Sequence, residues 1–123
     1  MTAEINVNFS MQVLNGLFRD EINPIISPVD QAAIGKWGGI QIVGFAAEED
    51  LAVTDIATLG WCFLQNLDAA NFIKYGPKSG GVMIPFGRLK PGEFCWVRLE
   101  PGITIRCIAD TAVVKLDIRL YED

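Results

Sequence analysis

Carboxylates and thiols are the side chains in this chain that could do acid–base or nucleophilic chemistry, because it contains no histidine. Histidine is the commonest general base and the commonest metal ligand in proteins. Without it, neither a Ser-His-Asp triad, nor a Cys-His pair, nor a histidine-lined metal site can form. The sequence therefore predicts a protein that is not an enzyme and that needs no cofactor or metal.

The carboxylates give no catalytic pattern. A carboxylate pair could hydrolyse a glycosidic bond, but the adjacent Glu48, Glu49 and Asp50 would point in different directions in a strand or loop. The other acidic residues are separated by predicted turns. Gly38-Gly39 and Gly80-Gly81 lack the lysine and following helix of a phosphate-binding loop. We interpret these acids as solvated charges and these glycines as turns or bulges.

The three cysteines, Cys62, Cys95 and Cys107, each lie within an apolar run, and no two form a Cys-x-x-Cys pair. Buried free cysteine behaves as a small hydrophobic residue. The pattern favours reduced core thiols and intracellular folding. One disulfide with one thiol left over is the alternative.

Charge and hydropathy indicate which partners to expect. The net charge is −5 and the Lys and Arg residues are scattered singly, which argues against nucleic-acid binding. Half of the residues are hydrophobic, so the chain has either a dense core or apolar surface that another subunit covers. It has no signal peptide and no apolar run of ~20 residues, so we expect synthesis in a cytoplasm and no membrane contact.

The elements that would position these residues are strands. Ile5 to Val13 alternate with polar residues, and Asn15-Gly16 favours a hairpin turn after them. Pro91-Gly92 and Pro101-Gly102 predict two tight turns around a strand. Val114, Leu116, Ile118 and Leu120 alternate with polar residues in the last strand. Trp61 and Trp96 lie in apolar runs that predict core positions.

No segment predicts a long helix, and strand signals recur about every ten residues. We therefore predict an all-β fold: one antiparallel, jelly-roll-like sandwich of about eight to ten short strands, spanning residues 1–123 as a single domain. An immunoglobulin-like sandwich and a closed barrel are the alternatives.

One segment resembles a pattern in small structural proteins of tailed bacteriophages. Gly60 to Gly76 follows the spacing G-x-x-F-x-x-N-L-D-x-x-N-x-x-x-x-G, with Leu89-Lys90-Pro91-Gly92-Glu93 and the acidic end Glu122-Asp123 following. This group resembles single jelly-roll virion proteins, including cement or decoration proteins of icosahedral capsids. The resemblance covers about the second half of the chain.

The resemblance implies a non-enzymatic decoration protein, made in the host cytoplasm and located on the outer capsid surface. Its partners would be the major capsid protein and itself, as a homodimer or homotrimer. A carbohydrate- or receptor-binding module of a tail or fibre is the alternative function. For the partner interface we select the N-terminal strand, Phe18, Arg19, Trp37 and Phe45, because these hydrophobic or bidentate-capable residues lie in the less regular half.

Overall fold

The computed structural model describes residues 5–24, 36–51 and 56–123, with the backbone alone at Lys36 and Trp37. The sequence is ambiguous from Val29 to Lys36 and predicts a short strand over Leu51 to Val53, and of these two segments only Lys36 and Leu51 lie within the described ranges. Within them the secondary structure is entirely β, as predicted, and no helix could span a membrane. The strands are β1 (Met11–Asn15), β2 (Phe18–Ile22), β3 (Lys36–Val43), β4 (Glu49–Asp50), β5 (Leu59–Asn66), β6 (Ile73–Ser79), β7 (Val82–Met83), β8 (Gly87–Leu89), β9 (Phe94–Arg98), β10 (Ile105–Ala109) and β11 (Val114–Glu122).

The chain divides into two compact units, residues 1–32 and 33–123. The single domain over residues 1–123 stays a prediction. In the first unit, β1 and β2 form an antiparallel hairpin. The predicted strand over Ile5 to Val13 is regular only from Met11. The hairpin loop is Gly16-Leu17, one residue later than the predicted Asn15-Gly16, and Gly16 has a φ of 58°. A positive φ at the first loop position is where glycine is favoured in two-residue hairpins.

The second unit is a sandwich of two antiparallel sheets, as the sequence predicted. One sheet has the order β3-β11-β5-β9, and the other has the order β4-β10-β6-β7, with β8 also pairing with β6. Strands β7 and β8 lie along the same edge of β6, so they form one interrupted edge strand. The strand count exceeds the predicted eight to ten because of this interruption and because of the separate hairpin.

The core lies between the two sheets. Val114, Leu116, Ile118 and Leu120 of β11 are fully buried, as their alternation predicted. They pack with Cys62 and Leu64 from the same sheet and with Ile73, Leu89, Cys107 and Ala109 from the opposite one. Burying such side chains contributes about 1.5–3 kcal/mol each, so this layer supplies most of the driving force for folding the sandwich.

Both Pro-Gly turns form as predicted. The N–H of Glu93 donates to the carbonyl oxygen of Lys90 over 3.0 Å, and that of Ile103 donates to Glu100 over 3.3 Å. Gly92 and Gly102 have φ values of 80° and 86°. Proline followed by a glycine with positive φ is the type II turn arrangement. These turns fix both ends of β9 and the approach to β10.

Candidate interaction surfaces

Several ionisable side chains are buried or engaged in structural contacts. Burial raises the pKa of the Cys62 and Cys107 thiols to about 12. Burial also raises the pKa of Cys95, although its hydrogen bond with Tyr75 opposes that shift. Because the thiolate is the nucleophile, none of these thiols is activated. All three cysteines are free and two are buried, as expected for core thiols.

Arg106 holds the acidic residues of the β4 region. Its Nε donates to Asp50 Oδ1 over 2.8 Å, and its Nη1 donates to Glu48 Oε1 and to the carbonyl oxygen of Gly81. These two carboxylates raise the pKa of the Arg106 guanidinium. Glu48 also accepts the N–H of Met83. The network joins β4, β10 and the β6–β7 turn on the outer face of the second sheet. In the described ranges, no group of three or more His, Cys, Asp or Glu side chains could hold a metal ion.

The motif that carries the phage resemblance forms a structural corner. Asn66 is fully buried, and its Nδ2 donates to the carbonyl oxygens of Asn71 and Leu89 over 2.9 and 3.0 Å. Its Oδ1 accepts the N–H of Asp68 over 2.8 Å. Asp68 accepts the N–H groups of Asn71 and Ala70, which lower the pKa of its carboxyl. The side chains of the Asn-Leu-Asp-x-x-Asn motif therefore hold the β5–β6 turn against the end of β8 through hydrogen bonds.

Aromatic side chains cover part of the outer face of the β3-β11-β5-β9 sheet. We call Trp61, Phe63, Phe94, Trp96 and Tyr121 the aromatic ladder. The Trp61 and Trp96 rings stack at 4.7 Å and Phe63 stacks with Phe94 at 5.8 Å, while Trp96 meets Tyr121 edge-on. The prediction that Trp61 and Trp96 lie in the core was wrong, because both side chains project from the outer face and are only half-buried.

The cause lies in the alternation of β5. Cys62, Leu64 and Asn66 are buried, whereas Trp61, Phe63 and Gln65, which alternate with them, are half-buried. A continuous apolar run such as Trp61-Cys62-Phe63-Leu64 is typical of a strand buried on both faces, but here only one face is buried. Register places Phe63 opposite Trp96 and Trp61 opposite Arg98. Pairing with β9 therefore assembles the ladder from residues distant in sequence.

A second apolar surface flanks the same sheet. We call Ile40, Ile42 and Lys115 the β3 patch. Ile40 and Ile42 are 60% and 61% exposed on the edge strand β3, and Lys115 is directly opposite Ile42 on β11. Edge strands are sites at which chains associate unless charges or bulges protect them.

A third apolar surface is the ridge formed by Val82, Ile84 and Phe86 on the interrupted edge of the second sheet. All three side chains are exposed. The N–H groups of Ile84 and Phe86 donate to the carbonyl oxygens of Pro77 and Tyr75, so the segment follows β6 closely. A Cβ at Gly76 would collide with the backbone at Ile84. Glycine is therefore required for the ridge to approach β6.

The fourth surface belongs to the first unit. Antiparallel register places Met11, Val13, Phe18 and Ile22 on one side of the hairpin, and we call this set the hairpin face. Phe18 is 60% exposed, and none of the described residues in 5–24 is buried.

The predicted interface residues occupy different places. Phe18 and Arg19 lie in β2 and are exposed, and Arg19 is on the side of the hairpin opposite Phe18. Phe45 is exposed in the loop after β3. The backbone of Trp37 pairs with Leu120, and its side chain lies outside the described part. Sequence reasoning missed Ile40, Ile42 and the ridge, although Ile40 and Ile42 did alternate with Gln41.

Comparison with known proteins does not identify a family for this chain. A scan against protein-family models found no match, and a search of curated proteins found no similar sequence.

Proposed function

We propose that this chain is a non-enzymatic structural protein of a tailed-phage virion, a decoration protein that binds the outer surface of the major capsid protein lattice. The observation that carries the proposal is the set of separate exposed apolar surfaces on the described part of the chain. A protein that contacts both a lattice and its own copies needs more than one such surface. Large exposed apolar surface marks interaction sites in soluble proteins.

The fold supports this proposal. We infer a jelly-roll connection from the order of the strands. Consecutive strands from β3 to β11 alternate between the two sheets, except that β6, β7 and β8 lie in the same sheet. The resulting sheet orders, β3-β11-β5-β9 and β4-β10-β6-β8, interleave along the chain. Two Greek keys wound in this way make the jelly roll of many capsid proteins. The corner at Asn66 gives the resembling motif a role in holding this fold.

The mechanism is thermodynamic. A protein that binds only the assembled lattice stabilises it by the free energy of binding. An oligomer that contacts several capsid subunits gains further, since each later contact is intramolecular. We assign the ridge to the lattice contact, because it projects from a sheet edge that Gly76 and the Arg106 network hold in place.

The test is cosedimentation with capsid shells of the encoding phage, stripped of their small outer proteins. The expected result is that the protein pellets with the shells and raises their melting temperature. The double variant Val82→Ser, Phe86→Ser should bind at least about tenfold more weakly, as loss of a buried interface anchor does. Val113→Ser, at an exposed apolar residue of the β10–β11 turn, is the matched control. Wild-type protein that stays in the supernatant would contradict the proposal.

A second candidate function, glycan or receptor binding by a tail or fibre module, is favoured by one groove. The groove has a volume of about 490 Å³, and its lining includes Tyr75, Arg88, Glu93 and the exposed Phe94. Sites for small ligands combine aromatic walls with a few polar groups. The tryptophans are less suited to a sugar, because Trp61 has Trp96 stacked beside it and Arg98 5.0 Å from its ring centroid.

Glycan-array binding tests this alternative. It predicts a glycan signal that Phe94→Ala abolishes and that Phe45→Ala, at another exposed phenylalanine, leaves intact. Shell binding without any glycan signal would support the decoration protein.

A further inference from the structure

The hairpin has an apolar face and a polar face. Met11 lies opposite Ile22, and Val13 and Phe18 share their side, whereas Gln12, Arg19 and Glu21 lie on the other side with Leu14. Every residue of β2 is exposed, and only Val13 of β1 is half-buried. A two-stranded hairpin is marginally stable in water unless its apolar face packs against something.

The β3 patch on the sandwich is also apolar, but it carries a positive charge. Two β-branched side chains, Ile40 and Ile42, project side by side from an edge strand, and Lys115 stands next to them. In the described part of the chain, Lys115 has no ion-pair partner, and the same is true of Asp20, which lies on the hairpin face opposite Val13. The two surfaces therefore match in apolar character and in charge.

We propose that the hairpin face of one copy packs on the β3 patch of a second copy of this chain, with Asp20 of the hairpin beside Lys115 of the sandwich. The opposite charges select this partner, since complementary charges fix register and suppress wrong partners. The proposal deepens the proposed function, on which it rests for the expectation that copies contact each other, because it assigns that contact to two named surfaces. The contact itself needs no shell.

The contact joins two different surfaces, and this limits the assemblies it can make. If two copies exchange hairpins reciprocally, the product is a symmetric dimer. If each copy gives its hairpin to the next copy, the product is a trimer or larger ring when the rotation closes. In either product, every hairpin face and every β3 patch is covered.

The first experiment uses two double variants of the full chain and measures mass by light scattering. The hairpin variant is Phe18→Ser with Ile22→Ser, and the patch variant is Ile40→Ser with Ile42→Ser. All four side chains are exposed, so the fold should tolerate the changes. Leu14→Ser, on the other face of the hairpin, and Val113→Ser are the controls.

We expect wild type and both controls to associate, and each double variant to associate at least about tenfold more weakly. An equimolar mixture of the two double variants should recover a two-chain species, because each variant retains the surface that the other lacks. A wild-type protein that is monomeric at every concentration would overturn the proposal. Double variants that associate like wild type, or a mixture that stays monomeric, would also overturn it.

A charge exchange provides the second measurement. Asp20→Lys alone and Lys115→Asp alone should each weaken association, and the double exchange within one chain should restore it. Equal association of all four proteins would contradict the assigned register. Failure of self-association with retained binding to shells would reject this inference and leave the decoration function standing, whereas the converse result would reject only the decoration function.

Discussion

The N-terminal segment from Ile5 to Val13, which leads into the hairpin, and the C-terminal strand β11 carry the same period-two pattern and have opposite burial. Leu116, Ile118 and Leu120 are 0% exposed, whereas Met11, Phe18 and Ile22 are all exposed. Strand β11 lies inside its sheet, between β3 and β5, and faces a second sheet. The hairpin has two strands and none of its described residues is buried. Alternation therefore predicts that a strand has an apolar face, but not what covers that face.

The largest expected effect tests the buried side of this comparison. Leu116→Ala should lower the free energy of unfolding by about 2–5 kcal/mol, because it removes packed side-chain atoms and leaves a cavity. Leu14→Ala, at the exposed leucine of β1, should change it by less than about 0.5 kcal/mol in dilute monomer. Urea unfolding measures both. Equal losses would mean that the hairpin is part of the cooperative core.

The next effect concerns the buried asparagine of the sandwich. Asn66→Ala leaves the carbonyl oxygens of Asn71 and Leu89 and the N–H of Asp68 without their side-chain partner. We expect a loss of about 2–3 kcal/mol in the free energy of unfolding. Asn23→Ala, at an exposed asparagine that donates to the nearby Glu21, is the control and should have almost no effect in the same titration. An unchanged transition midpoint for Asn66→Ala would show that the hydrogen bonds of Asn66 do not contribute to the stability of the sandwich.

A matched pair of glycines gives an intermediate effect. Gly16 and Gly92 both have positive φ, and a Cβ at either would meet open space. Alanine at either position costs about 1 kcal/mol through backbone strain alone. Gly92→Ala should lower the melting temperature of the sandwich, whereas Gly16→Ala should alter only the NMR signals of the hairpin. A lower melting temperature of the sandwich for Gly16→Ala would mean that the hairpin and the sandwich unfold cooperatively.

The smallest expected effect is a dependence on acidity. The N–H groups of Asn71 and Ala70 hold the pKa of Asp68 below its ordinary value of 3.8. The stabilisation is therefore present above that value and is lost as the pH falls through the lower, folded-state pKa. Thermal unfolding of wild type should weaken over that acid range, and Asp68→Asn should reduce the dependence. An identical dependence of thermal stability on acidity in the variant would show that Asp68 does not contribute to it.

Sequence alone predicted those features that depend on local pattern. The alternation from Val114 to Leu120 and the two Pro-Gly turns gave correct strands, faces and turns. Each is encoded within a few residues, by side-chain period or by the φ values of proline and glycine.

Features that depend on the pairing of strands distant in sequence could not be predicted from local sequence patterns. Trp61 and Trp96 are apolar, as are their neighbours, so no period distinguished outward from inward positions until β5 paired with β9. The ridge forms because Gly76 admits a backbone segment eight residues further along the chain. Phe18, which we selected for a partner interface, is exposed, and its role in an interface stays a prediction. The patch at Ile40 and Ile42 could be recognised only from the sheet order, which places β3 at an edge.

Amide hydrogen exchange at low and high protein concentration tests most directly the claim that the hairpin face is an interface. The account predicts that β11 amides are protected at both concentrations. The β1 and β2 amides should exchange rapidly in the monomer and become protected as the mass in solution rises. Hairpin amides that are equally protected in the monomer, or that remain unprotected in the associated form, would contradict it.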